Sequence, residues 1–317
     1  MPDRNPDASA AHWSDYWATG ALTSLPEDFA FNYDGEVADF WYEQFDALPA
    51  SASLLDICTG NGPIALLAAG YARQANKSVD ITAVDAAAIR PDEIARRRPD
   101  VAGLVEGIRF VGQTPVESLP FEDGSFDLIT SQYGLEYCRL DLAAPELARV
   151  LRPGGRLVLL CHSASSEMIE TMAVEQRDYQ ALASAKFFRV LRSWVGGQLG
   201  EADLPDRLKR IQRRLGQDYR QSGSALIAQV MQSVSSLQGM NPTELRENRP
   251  AVAGFLGRLE AGRDRLEDML RVNRMIAGDA DWDRPLAGAG LVRIDSRPLV
   301  YRQTHSMGQC HTWQKPG

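Results

Sequence analysis

The run Leu54-Leu55-Asp56-Ile57-Cys58-Thr59-Gly60-Asn61-Gly62 joins a short apolar stretch to a glycine-rich turn. Such a turn lets backbone approach a ligand closely, and the helix after it offers unpaired N–H groups to polar ligand atoms. A second, β-branched run (Val79–Asp85) ends in a carboxylate about 20–25 residues further on, where Asp85 can accept both hydroxyls of a ribose. A glycine turn alone means little, since many strands end in one without binding anything. The turn and the acid together point to a nucleoside-containing ligand. Tyr133, Glu136 and His162 fall at or just past the ends of later apolar runs, where ligands bind in open α/β sheets. Each is a candidate general base. Glu136 reads equally well as a helix-surface or salt-bridged carboxylate, and His162 as a structural histidine. Cys138 and Cys161 share the same strand-end ground. A thiol pair for a soft metalloid is one reading of them, and inert buried cysteine is the more common one.

The elements that must position these groups alternate in type. Ser53–Cys58 is strand-like and PIALLAAGYARQ helical; VDITAVD is strand-like and EIARRR helical. Ile108–Gln113 and Phe126–Ser131 are strand-like. PELARVLR reads as a helix ended by Pro153-Gly154-Gly155, and Arg156–His162 as the next strand. That order implies parallel βαβ units in a doubly wound α/β sheet. Residues 1–49 are rich in aromatics. Val37, Phe40, Trp41 and Phe45 follow helical spacing, with Gln44 as a polar break, and should pack on the sheet. The preceding HWSDYWATGALTSLPEDF reads as irregular, with a turn at Pro26. Its Tyr16 and Trp17, with Tyr33, are expected to contact ligand, because aromatic faces attract cations.

From Ser165 to Ala277 the strand signal disappears, and helices are expected with breaks at Gly196-Gly197, Pro205, Gly216, Gly239–Pro242 and Pro250. RIDSRPLVYRQ and GQCHTWQKP then read as two strands around a turn near His305–Gly308, which makes the helical block an insertion. The expected organisation is an N-terminal segment (1–49), a core (50–164), the insertion (165–277) and a return to the core (278–317). The apolar stripes of the insertion must be buried against something. The ligand-binding edge of the sheet and a second subunit are the expected surfaces, giving a substrate lid, a homodimer interface, or both.

The glycine turn resembles motif I of class I S-adenosylmethionine-dependent methyltransferases, with Cys58 in place of the usual first glycine. Asp85 is similar to the acid that ends their second strand. VESLPFEDGSFDLITSQYGLEY and LARVLRPGGRLVL resemble the later motifs of the UbiE/Coq5-like branch (methyltransferase types 11 and 25). The resemblance spans about Leu54 to His162. A dinucleotide-binding Rossmann enzyme would instead show GxGxxG. The resemblance implies a Rossmann-like seven-stranded sheet and an N-terminal lid, which sets the helical insertion between strands 5 and 6. It also implies S-adenosylmethionine as cofactor. Gly60 and Gly62 would then shape the turn beside its methionine part, with Asp56 orienting it. Asp85 and neighbouring Ala86 would flank the ribose, Val116 and Glu117 the adenine, and Gln132 the sulfonium and amino group. Family members often carry Asp where Pro115 stands, so the adenine amino group needs another acceptor here. The implied reaction is in-line methyl transfer to an O, N or S nucleophile of a small molecule.

Composition narrows the partners. A net charge of −8 argues against general nucleic-acid affinity, which needs clustered Lys and Arg. Residues 186–274 nevertheless hold 16 basic against 10 acidic side chains. A nucleic-acid methyltransferase using that block is therefore one alternative. A methyltransferase-fold protein that uses the cofactor for other chemistry is another. No apolar run suits a membrane span and no secretory signal is evident, so a cytoplasmic protein with reduced thiols is expected. The cysteine spacing offers no metal site.

Overall fold

The computed structural model describes residues 6–25, 29, 31–163 and 166–317. Seven strands form one sheet: β1 (Ser51–Ile57), β2 (Ser78–Val84), β3 (Ile108–Val111), β4 (Phe126–Gln132), β5 (Leu151–Cys161), β6 (Val292–Tyr301) and β7 (His305–Gln314). Their spatial order is β3-β2-β1-β4-β5-β7-β6. The first five are parallel, while β7 runs antiparallel to both β5 and β6. Connection direction reverses between β1 and β4, which opens a ligand-binding crevice at their carboxyl ends. This is the α/β, Rossmann-like sheet the sequence pattern implies.

Adjacent residues of β1 face opposite sides of the sheet, and both sides are covered. On one side Leu54 joins Ile81, Leu128, Val158 and Leu160 beneath Val37, Trp41 and Phe45 of α2 (Gly35–Asp46) and Ile64 and Ala68 of α3 (Pro63–Gln74). On the other, Leu55, Ile57, Ile129, Leu157 and Leu159 meet Leu147 and Val150 of α6 (Leu140–Val150), together with Leu286 and Trp313. Fully burying each such side chain contributes about 1.5–3 kcal/mol. α3 starts at once after the turn because Gly62 takes a left-handed conformation (φ 88°) and Pro63 occupies the first helical turn. The short helices α4 (Pro91–Arg97) and α5 (Pro99–Val105) lead into β3.

Several boundaries differ from expectation. Residues from His12 to Trp17 are helical: they end α1 (Pro6–Trp17), where Trp13 meets Tyr16 and Trp17 at i+3 and i+4 spacing. Among the described residues of that stretch only those after Trp17 are irregular, and the turn expected at Pro26 lies outside them. Pro153-Gly154-Gly155 do not separate helix from strand. β5 already begins at Leu151, which pairs with Phe126 before a register shift.

The chain forms two compact units, Met1–Ser165 with Arg271–Gly317, and Ser166–Leu270. The second contains α7 (Ser166–Ser184), α8 (Phe187–Val195), α9 (Leu204–Ser222), α10 (Ala225–Gln238) and most of α11 (Pro242–Gly278). The short α12 (Arg284–Gly288) belongs to the first unit. Gly216 and Pro250 do not break helices but lie within α9 and α11. Leu204, Leu208, Ile211 and Leu215 make one stripe along α9, and Ile227, Val230, Val234 and Leu237 make another along α10. These stripes bury one another, with Phe187, Leu191 and Trp194 of α8, in a core of their own. The demand for an outside surface to cover them therefore disappears.

Candidate functional site

The candidate site lies where β1, β4 and β5 end. Asp56 is fully buried, and its carboxylate accepts hydrogen bonds from Thr59 Oγ1 (2.5 Å) and Thr130 Oγ1 (2.8 Å). Burial pushes its pKa up to about 7, against the lowering effect of those bonds. Asp56 thus braces β1 against β4 from beneath the turn. It is wholly enclosed, so its influence on a ligand passes through the turn.

Asp85 is drawn to the same turn. Its Oδ2 accepts the Gly60 N–H at 2.7 Å and its Oδ1 the Ala87 N–H at 2.8 Å. Burial raises its pKa to about 6, with the two backbone bonds pulling the other way. A carboxylate has about four acceptor positions, so two remain for hydroxyl groups. Gly60 is left-handed (φ 55°), and a Cβ there would run into the Trp17 indole. At Gly62 an added Cβ would stand 2.6 Å from the Phe110 ring. Both positions thus exclude side chains on steric as well as conformational grounds.

Asn61, which sequence reasoning passed over, holds the N-terminal segment on this turn. Its Nδ2 donates to Trp17 O (3.0 Å) and Ala21 O (2.7 Å), and its Oδ1 accepts the Arg90 N–H (3.0 Å). Ser14 Oγ accepts from the Ala88 N–H at 2.9 Å. The signal was a polar side chain between two glycines. Trp17 therefore reaches the candidate site, while the Tyr16 hydroxyl is occupied by Thr23 O at 2.9 Å. Tyr33 is buried in the core beside Phe29, 3.3 Å from the Ser24 hydroxyl, and burial pushes its pKa up to about 12. Ala86 is exposed beside Asp85.

Gln132 ends β4, and its Oε1 accepts from Trp41 Nε1 at 2.7 Å, leaving Nε2 buried with no hydrogen-bond partner. Ser131 Oγ and Glu136 Oε2 are likewise buried and unpartnered. Buried polar atoms are normally satisfied, so three such atoms near the strand ends suit a polar ligand. In the adenine-side loop, the Val116 side chain is core and Glu117 Oε1 accepts the Arg139 N–H at 2.8 Å. That carboxylate fastens the loop.

The candidate bases separate here. Tyr133 (φ 53°) donates its hydroxyl to Met307 O, and burial holds its pKa well above the usual tyrosine value. That hydroxyl thus ties the end of β4 to β7. Glu136 and His162, read from the sequence as separate candidates, form a pair. Glu136 lies in a 3₁₀ turn (Leu135–Tyr137) and is 2% exposed; its Oε1 stands 2.7 Å from His162 Nδ1 and accepts the His162 N–H at 3.0 Å. The rings of Tyr133 and Tyr137 flank the imidazole at 4.7 and 5.8 Å. The cysteines also regroup. Cys161 is buried, whereas Cys138 Sγ lies 3.7 Å from Cys58 Sγ. Among the described residues no cluster suited to a metal ion occurs, and no helix is long and apolar enough to cross a membrane.

Known proteins resemble this chain over the same strands. Residues 55–159 match the family model described as a methyltransferase domain. The ubiquinone/menaquinone biosynthesis C-methyltransferase UbiE of Hahella chejuensis is 35% identical over 134 residues, 42% of this chain and 52% of that protein. The demethylmenaquinone methyltransferase of Thermus thermophilus is 36% identical over 112 residues, 35% of this chain and 47% of that one. The chain thus spans about half the length of these curated relatives. Among solved structures, the YcgJ protein of Bacillus subtilis is 30% identical with a TM-score of 0.33, covering 44% of this chain and 56% of that one. The core from β1 to β5 thus carries a methyltransferase domain, similar to the UbiE-like branch of the class I S-adenosylmethionine-dependent methyltransferases.

Proposed function

We propose that this chain uses S-adenosylmethionine to methylate a small molecule, with the Glu136–His162 pair taking a proton from the acceptor. The residues present suit the cofactor. Asp85 keeps acceptor positions for ribose hydroxyls, Gln132 Nε2 and Ser131 Oγ are unused polar atoms, and the glycine turn, packed against Trp17 and Phe110, admits no side chain. Trp17 supplies an aromatic wall there, and Gly60, Gly62 and Asp56 set the turn. When bound, S-adenosylmethionine supplies a methyl group activated by positive sulfur.

The observation that carries the reading is the 2.7 Å contact between Glu136 Oε1 and His162 Nδ1. If Nδ1–H donates to the carboxylate, Nε2 keeps its lone pair and can act as the base. Glu136 then holds the ring's orientation and stabilises the imidazolium formed when the proton arrives. The acceptor is accordingly one that carries a proton on its nucleophilic atom or becomes acidic as the methyl arrives. Oxygen, nitrogen and sulfur acceptors meet this condition. Carbon acceptors do too, and the Hahella relative is described as a C-methyltransferase.

The helical unit, which lies outside the family match, is proposed to govern acceptor choice. A short Gly/Ser linker in its place should leave cofactor binding intact and abolish turnover of the native acceptor.

The central test follows radiolabelled methyl transfer into a small-molecule extract. His162→Ala and Glu136→Gln should each lower kcat by about 10²–10⁴-fold while cofactor affinity stays within error. Wild-type turnover by His162→Ala across the pH range would remove the base assignment.

A further inference from the structure

A pair of thiols stands inside the candidate site without a part in the proposed chemistry. Cys58 Sγ and Cys138 Sγ are 3.7 Å apart, both only partly buried, and both cysteines are free. Cys58 follows β1 and opens the glycine turn, with a left-handed backbone (φ 52°). Cys138 closes the 3₁₀ turn that carries Glu136, and its N–H bonds to Leu135 O at 3.0 Å. Gly134 makes the approach possible, because a Cβ at that position would collide with Cys58 Cβ. The other two cysteines, Cys161 and Cys310, are each 1% exposed.

We propose that Cys58 and Cys138 are an oxidative modification site, a disulfide-forming pair whose closure deforms the cofactor turn and so weakens S-adenosylmethionine binding. An S–S bond of about 2.05 Å requires the two sulfurs to approach by roughly 1.7 Å. Rotation of the two side chains supplies part of that movement, and the remainder falls on the Cys58–Gly60 turn or on the segment between Gly134 and Cys138. The first segment is tied to Asp85 through the Gly60 N–H, and the second carries Glu136. Either displacement disturbs the site.

The oxidant is a low-molecular-weight disulfide such as oxidised glutathione. The Cys138 thiolate attacks one of its sulfurs, forming a mixed disulfide and expelling one thiolate. Cys58 then attacks the Cys138 sulfur, the Cys58–Cys138 bond forms, and the second small thiolate leaves. The protein loses two protons and two electrons, and the small disulfide is reduced to two thiols. Hydrogen bonding to Cys138, burial, and the carboxylates of Asp85 and Glu117 raise the Cys58 pKa well above the usual thiol value. That favours Cys138 as the first to react and Cys58 as the resolving thiol, its proton passing to the leaving thiolate.

Formation of the disulfide stands independently of the proposed function; its effect on the cofactor rests on that reading. The experiment treats the full chain with oxidised glutathione, maps linked peptides by mass spectrometry, and measures S-adenosylmethionine affinity by calorimetry before and after dithiothreitol. The expected result is a Cys58–Cys138 linkage with the mass of two hydrogens lost. Affinity should fall by about tenfold or more and recover on reduction. Cys138→Ser should bind the cofactor as the reduced wild type does and lose the response. A stable glutathione adduct without the internal bond would overturn the pairing. An internal bond with unchanged affinity would overturn its action on the turn. If the reduced protein shows no cofactor affinity at all, the proposed function fails while the mapped linkage still decides the pairing.

Discussion

The sheet unit and the helical unit are built from the same kinds of apolar residue, yet they commit their sequence differently. In the sheet unit, specific residues answer to geometry at the strand ends: Gly60 and Gly62 to a crowded turn, Asp56 to two threonines, Asp85 to two backbone N–H groups. In the core of the helical unit, most positions answer to burial. Leu208, Ile211, Val230 and Val234 need only be apolar and of the right size. The contrast teaches why one unit carries recognisable motifs and the other does not. Backbone conformations and polar pairings tolerate one or two residue types, whereas a helical stripe tolerates many.

The largest expected effect comes from forcing a side chain into the turn. Gly60→Val would combine a β-branched residue at positive φ with a collision against Trp17. S-adenosylmethionine binding should fall below detection by calorimetry, with the circular dichroism spectrum largely unchanged. Normal binding would erase the distinction between the two units. The converse experiment damages the helical core. Trp194 is fully buried, with Arg249 5.4 Å from its ring. Trp194→Ala should cost about 3–5 kcal/mol. Hydrogen exchange should show that loss concentrated in residues 166–270, with cofactor affinity preserved. Equal loss of protection in the sheet would show that the units do not melt separately.

The smallest of the three effects concerns Asp85. Asp85→Ala should weaken cofactor binding by about 1.5–3 kcal/mol through the lost charge-assisted contact. Because burial raises the Asp85 pKa to about 6, wild-type affinity should increase as pH rises through that value and the carboxylate ionises. The same shift acts oppositely on folding. The folded state holds this proton more tightly than the unfolded chain, so the stabilisation is full below about pH 4 and lost as pH rises through 6. Calorimetric titration at several pH values checks the first, and thermal melts check the second. An affinity flat with pH would remove Asp85 from the ribose.

Much of the sheet was legible because strand and helix periods alternate cleanly between Ser53 and Cys161. Helix α1 was not, since its aromatic and small polar residues make no simple apolar stripe and its partners are the turn residues Asn61 and Ala88. The Asp85 position was legible from spacing, but its bond to the Gly60 N–H was not. Glu136 and His162 could be named individually. Their pairing depends on a 3₁₀ turn facing the end of β5, which no local pattern encodes. The partner of the Tyr133 hydroxyl was hidden for a related reason: the carbonyl of Met307 that receives it comes from a distant strand. The stripes of α9 and α10 were visible, but the surface that buries them proved to be each other.

The position of β7 has a further consequence, for the order in which the molecule assembles. β7 lies between β5 and β6, so β5 gains that neighbour only after the chain has passed through the whole helical unit. Closing so long a loop carries an entropic cost that grows with loop length, and pairings of high sequence separation form slowly. The pairing of α9 with α10, by contrast, needs only the intervening turn. The helical unit can therefore collapse first and turn a long flexible connection into a compact link. The β5 edge, with its row of unpaired backbone groups, stays open until then. In the interval that edge is a template for pairing with another chain.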